Sequence, residues 1–206
     1  MTRRIGIVDY QRGNLRSVQK ALEKAGADAR LISTPAEFGS MDGLVLPGVG
    51  SFGDCAETLA RTGLREPILE WLQSGKPYLG ICLGYQLLFD SSEESPGTAG
   101  LGFLQGTVGR FSNAVGKVPH MGWNALEFTE PRDPLFAGLS AVDQAYFVHS
   151  YYPRPADERI VSTWCDYGGR FAAGIARGNV RGVQFHPEKS QAVGQKILRN
   201  FLALIQ

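Results

Sequence analysis

The sequence is poor in the residues that hold metals, disulfides and membranes. Among 206 residues it has three cysteines (Cys55, Cys82, Cys165) and three histidines (His120, His149, His186). None of the cysteines has the short spacing of a zinc ligand set, so no metal site is expected. An odd, sparse set of thiols reads as the reduced cysteines of a cytoplasmic protein. No apolar run approaches the ~20 residues that cross a bilayer. Asp9 interrupts the apolar stretch behind Arg3 and Arg4, so no signal-peptide core is read. An excess of charge is lacking too: 21 basic side chains face 20 acidic ones, net +1. Without a basic stripe, neither nucleic acid nor an anionic membrane is expected as a partner. What is present is a 43% hydrophobic composition and a length that predicts one domain over residues 1–206. The 26 glycines are scattered through patterned sequence and mark tight turns rather than low complexity.

The first half alternates strand and helix. Ile5–Val8, Ala29–Ile32, Leu44–Leu46 and Pro77–Ile81 are short apolar runs of the kind that lie buried in a parallel sheet. Between them, Asn14 is a good N-cap for a helix to Ala25, with Leu15, Val18 and Leu22 on one stripe and Gly26 as the stop. A second helical stretch runs from Cys55 to Leu72, broken near Gly63. Leu83–Phe89 reads as a helix directly behind the fourth strand. This alternation predicts an α/β fold, a mostly parallel central sheet with helices on both faces. The second half predicts additional strands at Thr107–Phe111, Asn124–Phe128, Ala145–Ser150, Ile160–Cys165, Phe171–Ala176 and Val180–Phe185. A helix over Lys189–Gln206 follows. These strands are expected to extend the same sheet.

The sharpest chemical signal is Gly80-Ile81-Cys82-Leu83-Gly84, a nucleophile elbow between a predicted strand and a predicted helix. The helix start favours the thiolate, the reactive form of Cys82. Cys55 and Cys165 lack such a setting and read as packing residues. A thiolate attacking an acyl group needs a proton donor for the leaving group and an orienter for that donor. His186 and Glu188, two residues apart across Pro187, offer both. Pro47-Gly48-Val49-Gly50-Ser51-Phe52-Gly53 leaves backbone N–H groups bare after a strand. With the amide of Leu83, the Gly50 region predicts an oxyanion hole.

Cys82, His186 and Glu188, in this chain order, resemble the triad of class I glutamine amidotransferases, whose fold is flavodoxin-like. Further segments narrow the likeness. Val8–Leu15, Pro47–Gly53, Pro119–Asn124, Tyr146–Tyr151 and Phe185–Ser190 resemble the HisH family, the glutaminase subunit of imidazole glycerol phosphate synthase. Gln11 stands where that family usually has glycine. The resemblance implies that Cys82 is the nucleophile, His186 the acid/base and Glu188 its orienter. It implies that Gln86, Glu94 and the segment His149-Ser150-Tyr151 hold the substrate glutamine. It implies ammonia passed to a (β/α)8-barrel cyclase subunit in a heterodimer, with no cofactor. That cyclase makes imidazole glycerol phosphate and an aminoimidazole carboxamide ribotide in histidine biosynthesis. Asn14, Trp123 and Lys189 are the implied interface residues, with His120 and Met121 as packing neighbours. Two other readings stay open on the residues alone: a glutaminase subunit of another synthase of this fold, and a stand-alone cysteine hydrolase.

Overall fold

The computed structural model describes residues 2–10 and 15–205. In chain order it runs β1 (Arg4–Val8), α1 (Leu15–Ala25), β2 (Asp28–Ile32), β3 (Gly43–Leu46), α2 (Phe52–Arg61), α3 (Arg65–Gln73), β4 (Tyr78–Ile81), α4 (Leu83–Gln86) and β5 (Phe89–Ser92). The second half holds β6 (Leu104–Arg110), β7 (His120–Ala125), β8 (Glu127–Phe128), β9 (Gln144–His149) and β10 (Tyr151–Pro155). It closes with β11 (Val161–Asp166), β12 (Arg170–Arg177), β13 (Val180–Val183) and α5 (Gln191–Ala203).

The main sheet has eight strands in the order β2-β1-β3-β4-β13-β12-β11-β8. The first five are mutually parallel and the last three add antiparallel. The apolar runs bury both faces of the parallel part, as the period of two demands. Ile5, Ile7, Val45, Leu79 and Ile81 join one core with Val18 and Leu22 of α1 and Ile197, Leu198 and Phe201 of α5. Their neighbours Val8, Leu44, Leu46 and Tyr78 join the opposite core with Leu59, Ile68, Trp71 and Leu72 of α2 and α3. Each fully buried Leu or Ile contributes about 1.5–3 kcal/mol by leaving water. The Gln195 amide also donates to the Ala21 carbonyl at 3.2 Å, tying α5 to α1.

Two expectations are corrected. The helix behind Cys82 is a single turn, Leu83–Gln86, and Phe89 begins a strand rather than ending a helix. Phe89 and Leu101 are then enclosed in the second core, where a longer helix would carry them away. The second-half strands also do not all extend the main sheet. β11, β12, β13 and β8 do. β10, β6 and β5 form a three-stranded sheet, and β7 pairs with β9 in a two-stranded ribbon. The carboxyl ends of the parallel strands are where an open α/β sheet keeps its site.

Candidate active site

The elbow is built by glycine. An added Cβ on Gly84 would collide with the Leu46 carbonyl, and one on Gly80 would stand 2.6 Å from the Gly84 oxygen. Without them α4 could not press against β3 and β4. The chain reverses at Cys82 itself, with φ 54° and ψ −106°, a left-handed backbone that a non-glycine residue adopts only under strain. Cys82 is 7% exposed. Leu83 is the first residue of α4, so its N–H has no partner within that turn.

The distance of 104 positions between Cys82 and His186 is closed by one strand pairing. β4 and β13 run parallel in register, Ile81 opposite Val183, and both end there. The Cys82 N–H donates to the Val183 carbonyl at 2.8 Å. β13 therefore delivers Gln184, Phe185 and His186 beside the sulfur. Pro187 breaks the strand, and His186 Nδ1 meets Glu188 Oε1 at 2.8 Å, both side chains 4% exposed. The carboxylate accepts, so Nδ1 carries the proton and Nε2 is left for Cys82. Burial alone would lower the basicity of His186. Hydrogen bonds and charge from Cys82 and Glu188 outweigh it and hold the imidazole pKa up, at about 10.

The loop that carries His186 and Glu188 is clamped to β9. The His186 N–H donates to the Tyr146 carbonyl at 2.9 Å. The Tyr146 N–H donates to Ser190 Oγ at 2.9 Å, and that hydroxyl donates to the His186 carbonyl at 2.7 Å. Ser190 is fully buried.

A cavity of about 300 Å³ opens over the sulfur, within the size range of small-molecule sites. It is lined by Gly50, Cys82, Leu83, Gln86, Glu94, His149, Ser150, Tyr151, His186 and Lys189, together with Val49, Pro119 and Val148. Glu188 sits behind the imidazole. Gly50, at φ 109°, lies on the exposed lip. Glu94 and Glu93 have separate partners; Glu93 pairs with Arg154 at 3.0 Å. One Glu94 oxygen accepts the Phe52 N–H at 2.7 Å, at the start of α2, a position where the helix dipole favours a carboxylate.

Gln86 is buried, and its amide Nε2 donates to the Tyr151 carbonyl at 2.9 Å and to Gln184 Oε1 at 3.1 Å. Its Oε1 is the polar atom left to face the cavity. Both ring nitrogens of His149 are engaged inside the protein. Nδ1 lies 2.8 Å from the Tyr151 carbonyl and Nε2 lies 3.2 Å from His120 Nδ1. A carbonyl only accepts, so both histidines are in defined neutral tautomers. Burial pushes His120 down to about 4 and His149 to about 3, the latter against the opposing pull of the Tyr151 carbonyl. The His120 ring stacks between Phe147 and Tyr167.

Outside the cavity, Trp123 is 43% and Met121 58% exposed on β7. Met121 is thus no packing neighbour; only His120 is. Trp123 meets the Tyr146 ring edge-on at 5.9 Å, and the Lys189 ammonium lies over that same ring. Asn14 and Gln11 lie outside the described residues. Cys55 and Cys165 are buried as packing residues. Sequence reasoning missed Gln184 and Ser190. A glutamine between Val183 and Phe185 on a strand buried on both sides was the available signal, because a buried amide must find partners.

Fold and cavity define an α/β enzyme scaffold with a strained cysteine, and the comparisons agree. The family model for Glutamine amidotransferase class-I matches residues 6–205. PurLQS from Thermotoga maritima has a similar fold, with a TM-score of 0.79 at 23% identity, all of each chain covered. The chain is 51% identical to "Imidazole glycerol phosphate synthase subunit HisH" of Syntrophotalea carbinolica, covering 96% of this chain and 98% of the relative. It is 50% identical to the protein of the same description in Methanosarcina mazei, covering 98% and 99%. The chain belongs to the class I glutamine amidotransferases and, among them, to the HisH subunits of imidazole glycerol phosphate synthase.

Proposed function

We propose that the chain hydrolyses the side-chain amide of L-glutamine through Cys82, His186 and Glu188 and passes the ammonia to a cyclase subunit. The observation that carries this reading is the buried 2.8 Å contact between His186 and Glu188, placed by β13 beside the strained Cys82 in one cavity. The Cys82 thiolate attacks the amide carbon, forming a C–S bond and an oxyanion. The Gly50 and Leu83 amides are the donors assigned to that oxygen. His186 gives its Nε2 proton to the departing nitrogen, the C–N bond breaks and ammonia leaves, with a thioester behind. Water then gives a proton to Nε2 and its oxygen attacks the thioester. The C–S bond breaks, the sulfur returns as thiolate and glutamate departs.

Gln86 Oε1 and the free side of Glu94 are acceptors placed for the substrate's N–H groups. Ser150 and Tyr151 complete the wall. His149, with both nitrogens occupied, supports this wall through the Tyr151 carbonyl. The partner is a (β/α)8-barrel cyclase in a cytoplasmic heterodimer of the histidine pathway, since ammonia lost to water is protonated and wasted. Exposed Trp123, Met121 and Lys189 suit its docking face. Glutamate release by wild type and Cys82→Ala, with and without the cyclase and its nucleotide, tests the reading. Cys82→Ala is expected to lose more than about 10³-fold, and the cyclase to raise wild-type turnover. Retained activity in Cys82→Ala removes the nucleophile; indifference to the cyclase removes the partner.

A further inference from the structure

Gln184 is fully enclosed at the end of β13 and no step above uses it. Its side chain bridges Gln86 on one side and the Cys82 sulfur on the other, with Nε2 3.6 Å from Sγ. Which end of a glutamine amide faces a sulfur decides its chemistry. An N–H supports a thiolate, and a C=O supports a thiol. Here the direction is imposed from outside the amide. The row begins at the Tyr151 carbonyl, which can only accept. Gln86 must therefore turn Nε2 toward it. The second hydrogen of that nitrogen points at Gln184, which must answer with Oε1. Nε2 of Gln184 is left facing the sulfur. The His149 ring, itself fixed by His120, donates to the same carbonyl and holds the anchor in place.

We infer that Gln184 is a positioning residue that keeps an N–H donor aimed at the Cys82 sulfur and so stabilises its thiolate. The inference rests on the reading of Cys82 as nucleophile. Cys82 is 7% exposed, and a charge held on a largely buried residue needs donors from the protein. His186 supplies one and Gln184 the second, from another direction. The Gln184 bond is strongest while sulfur bears charge, in the resting enzyme and as sulfur leaves the second tetrahedral intermediate. It is weakest in the thioester. Its loss is therefore expected in turnover and in the thiolate fraction, not in substrate binding.

The test uses the full chain with its cyclase partner. Gln184→Met and Gln184→Leu remove the donor within nearly the same volume. In each, kcat is expected to fall about tenfold, as for one hydrogen bond to a charged group, with KM within about twofold. Alkylation of Cys82 by iodoacetamide, followed on the Cys82 peptide by mass spectrometry, is expected to need a higher pH. The proton concentration at its midpoint should be about tenfold lower than in wild type. A role in packing alone would leave that midpoint in place. A wild-type measurement runs beside it: the side-chain amide proton signals of ¹⁵N-labelled Gln184 should titrate with the same midpoint as Cys82 alkylation and stop doing so in Cys82→Ala. An unmoved alkylation midpoint in a folded variant overturns the inference, as does a Gln184 signal indifferent to Cys82. Glutaminase activity surviving in Cys82→Ala instead overturns the nucleophile reading beneath it.

Discussion

At the scale of single residues, the site is a set of hydrogen bonds whose direction is fixed by atoms that can play one role only. The Glu188 carboxylate accepts, so His186 keeps its Nδ1 proton; the Tyr151 carbonyl accepts, so Gln86 and His149 are oriented. Cys82 and, after it, Glu188 hold the His186 pKa near 10, and replacing Glu188 by glutamine removes the second of these charges. The imidazole of Glu188→Gln is expected to titrate at lower pH, read by ¹⁵N NMR of its ring nitrogens. A group with a raised pKa contributes stability that is complete below its unfolded value of about 6.5 and fades as pH passes the folded value. The wild-type triad should thus weaken only under alkaline conditions, through about pH 10, and the variant earlier. An unchanged titration in Glu188→Gln would mean that Cys82 alone sets the imidazole. Residue types at this scale were the most legible part of the sequence. Cys82, His186 and Glu188 each announce themselves by chemistry. Gln184 and Ser190 did not, because Gln184 meets a sulfur 102 positions away and Ser190 accepts from an N–H 44 positions away.

At the scale of elements, strand periodicity and glycine spacing read well and lengths read poorly. β1 to β4 follow their apolar runs almost residue for residue. The helix behind the elbow was overextended because Leu87, Leu88 and Phe89 continue an apolar pattern that fits a strand as well as a helix. What ends α4 is tertiary: the Leu101 N–H donates to the Leu87 carbonyl at 2.7 Å and the Leu104 N–H to the Leu88 carbonyl at 2.9 Å, drawing the chain into sheet pairing. β10 was missed because Pro153 and Pro155 argue against a strand. It tolerates them as an edge, paired only with β6. The elbow sets a sharp mutational expectation. Gly84→Ala drives a Cβ into the Leu46 carbonyl, backbone against backbone, so α4 must move. Stability should fall by about 1–3 kcal/mol, and a displacement near 1 Å at the sulfur should cost about 10²-fold in turnover. Denaturant melts and glutamate release measure both; wild-type turnover in Gly84→Ala would show that the turn has slack.

At the scale of the whole molecule, helix length, buried histidines and exposed aromatic surface set how it meets its surroundings. Among the described residues no helix is long and apolar enough to cross a membrane. The buried histidines make the fold acid-sensitive. His120 and His149 stay neutral down to about 4 and 3 when folded, yet take protons near pH 6.5 when unfolded. With pKa values lowered by folding, their contribution is whole above pH 6.5 and erodes as pH falls toward 4, by about 1.4 kcal/mol per pH unit for each ring. Midpoints of urea unfolding between pH 7 and pH 4.5 should fall steeply in wild type and less steeply in His120→Phe. Parallel slopes would remove the pair as the cause. On the outer surface, Trp123 and Met121 lie exposed on β7. Trp123→Ala is expected to weaken cyclase binding at least about tenfold, as loss of an interface anchor does, with the melting temperature of the isolated chain unchanged. Titration calorimetry decides it, and undiminished affinity would move the docking face elsewhere.

The pairing of β4 with β13 has one more consequence, and it concerns the chain while it is being made. The sulfur follows β4, but the imidazole of His186 follows β13, a strand separated from β4 by eight others in the chain. A nascent polypeptide paused anywhere between them carries Cys82 on an unfinished sheet, without the strand that brings His186 beside it. Assembly of the proposed centre therefore waits until β13 has been made and has found β4.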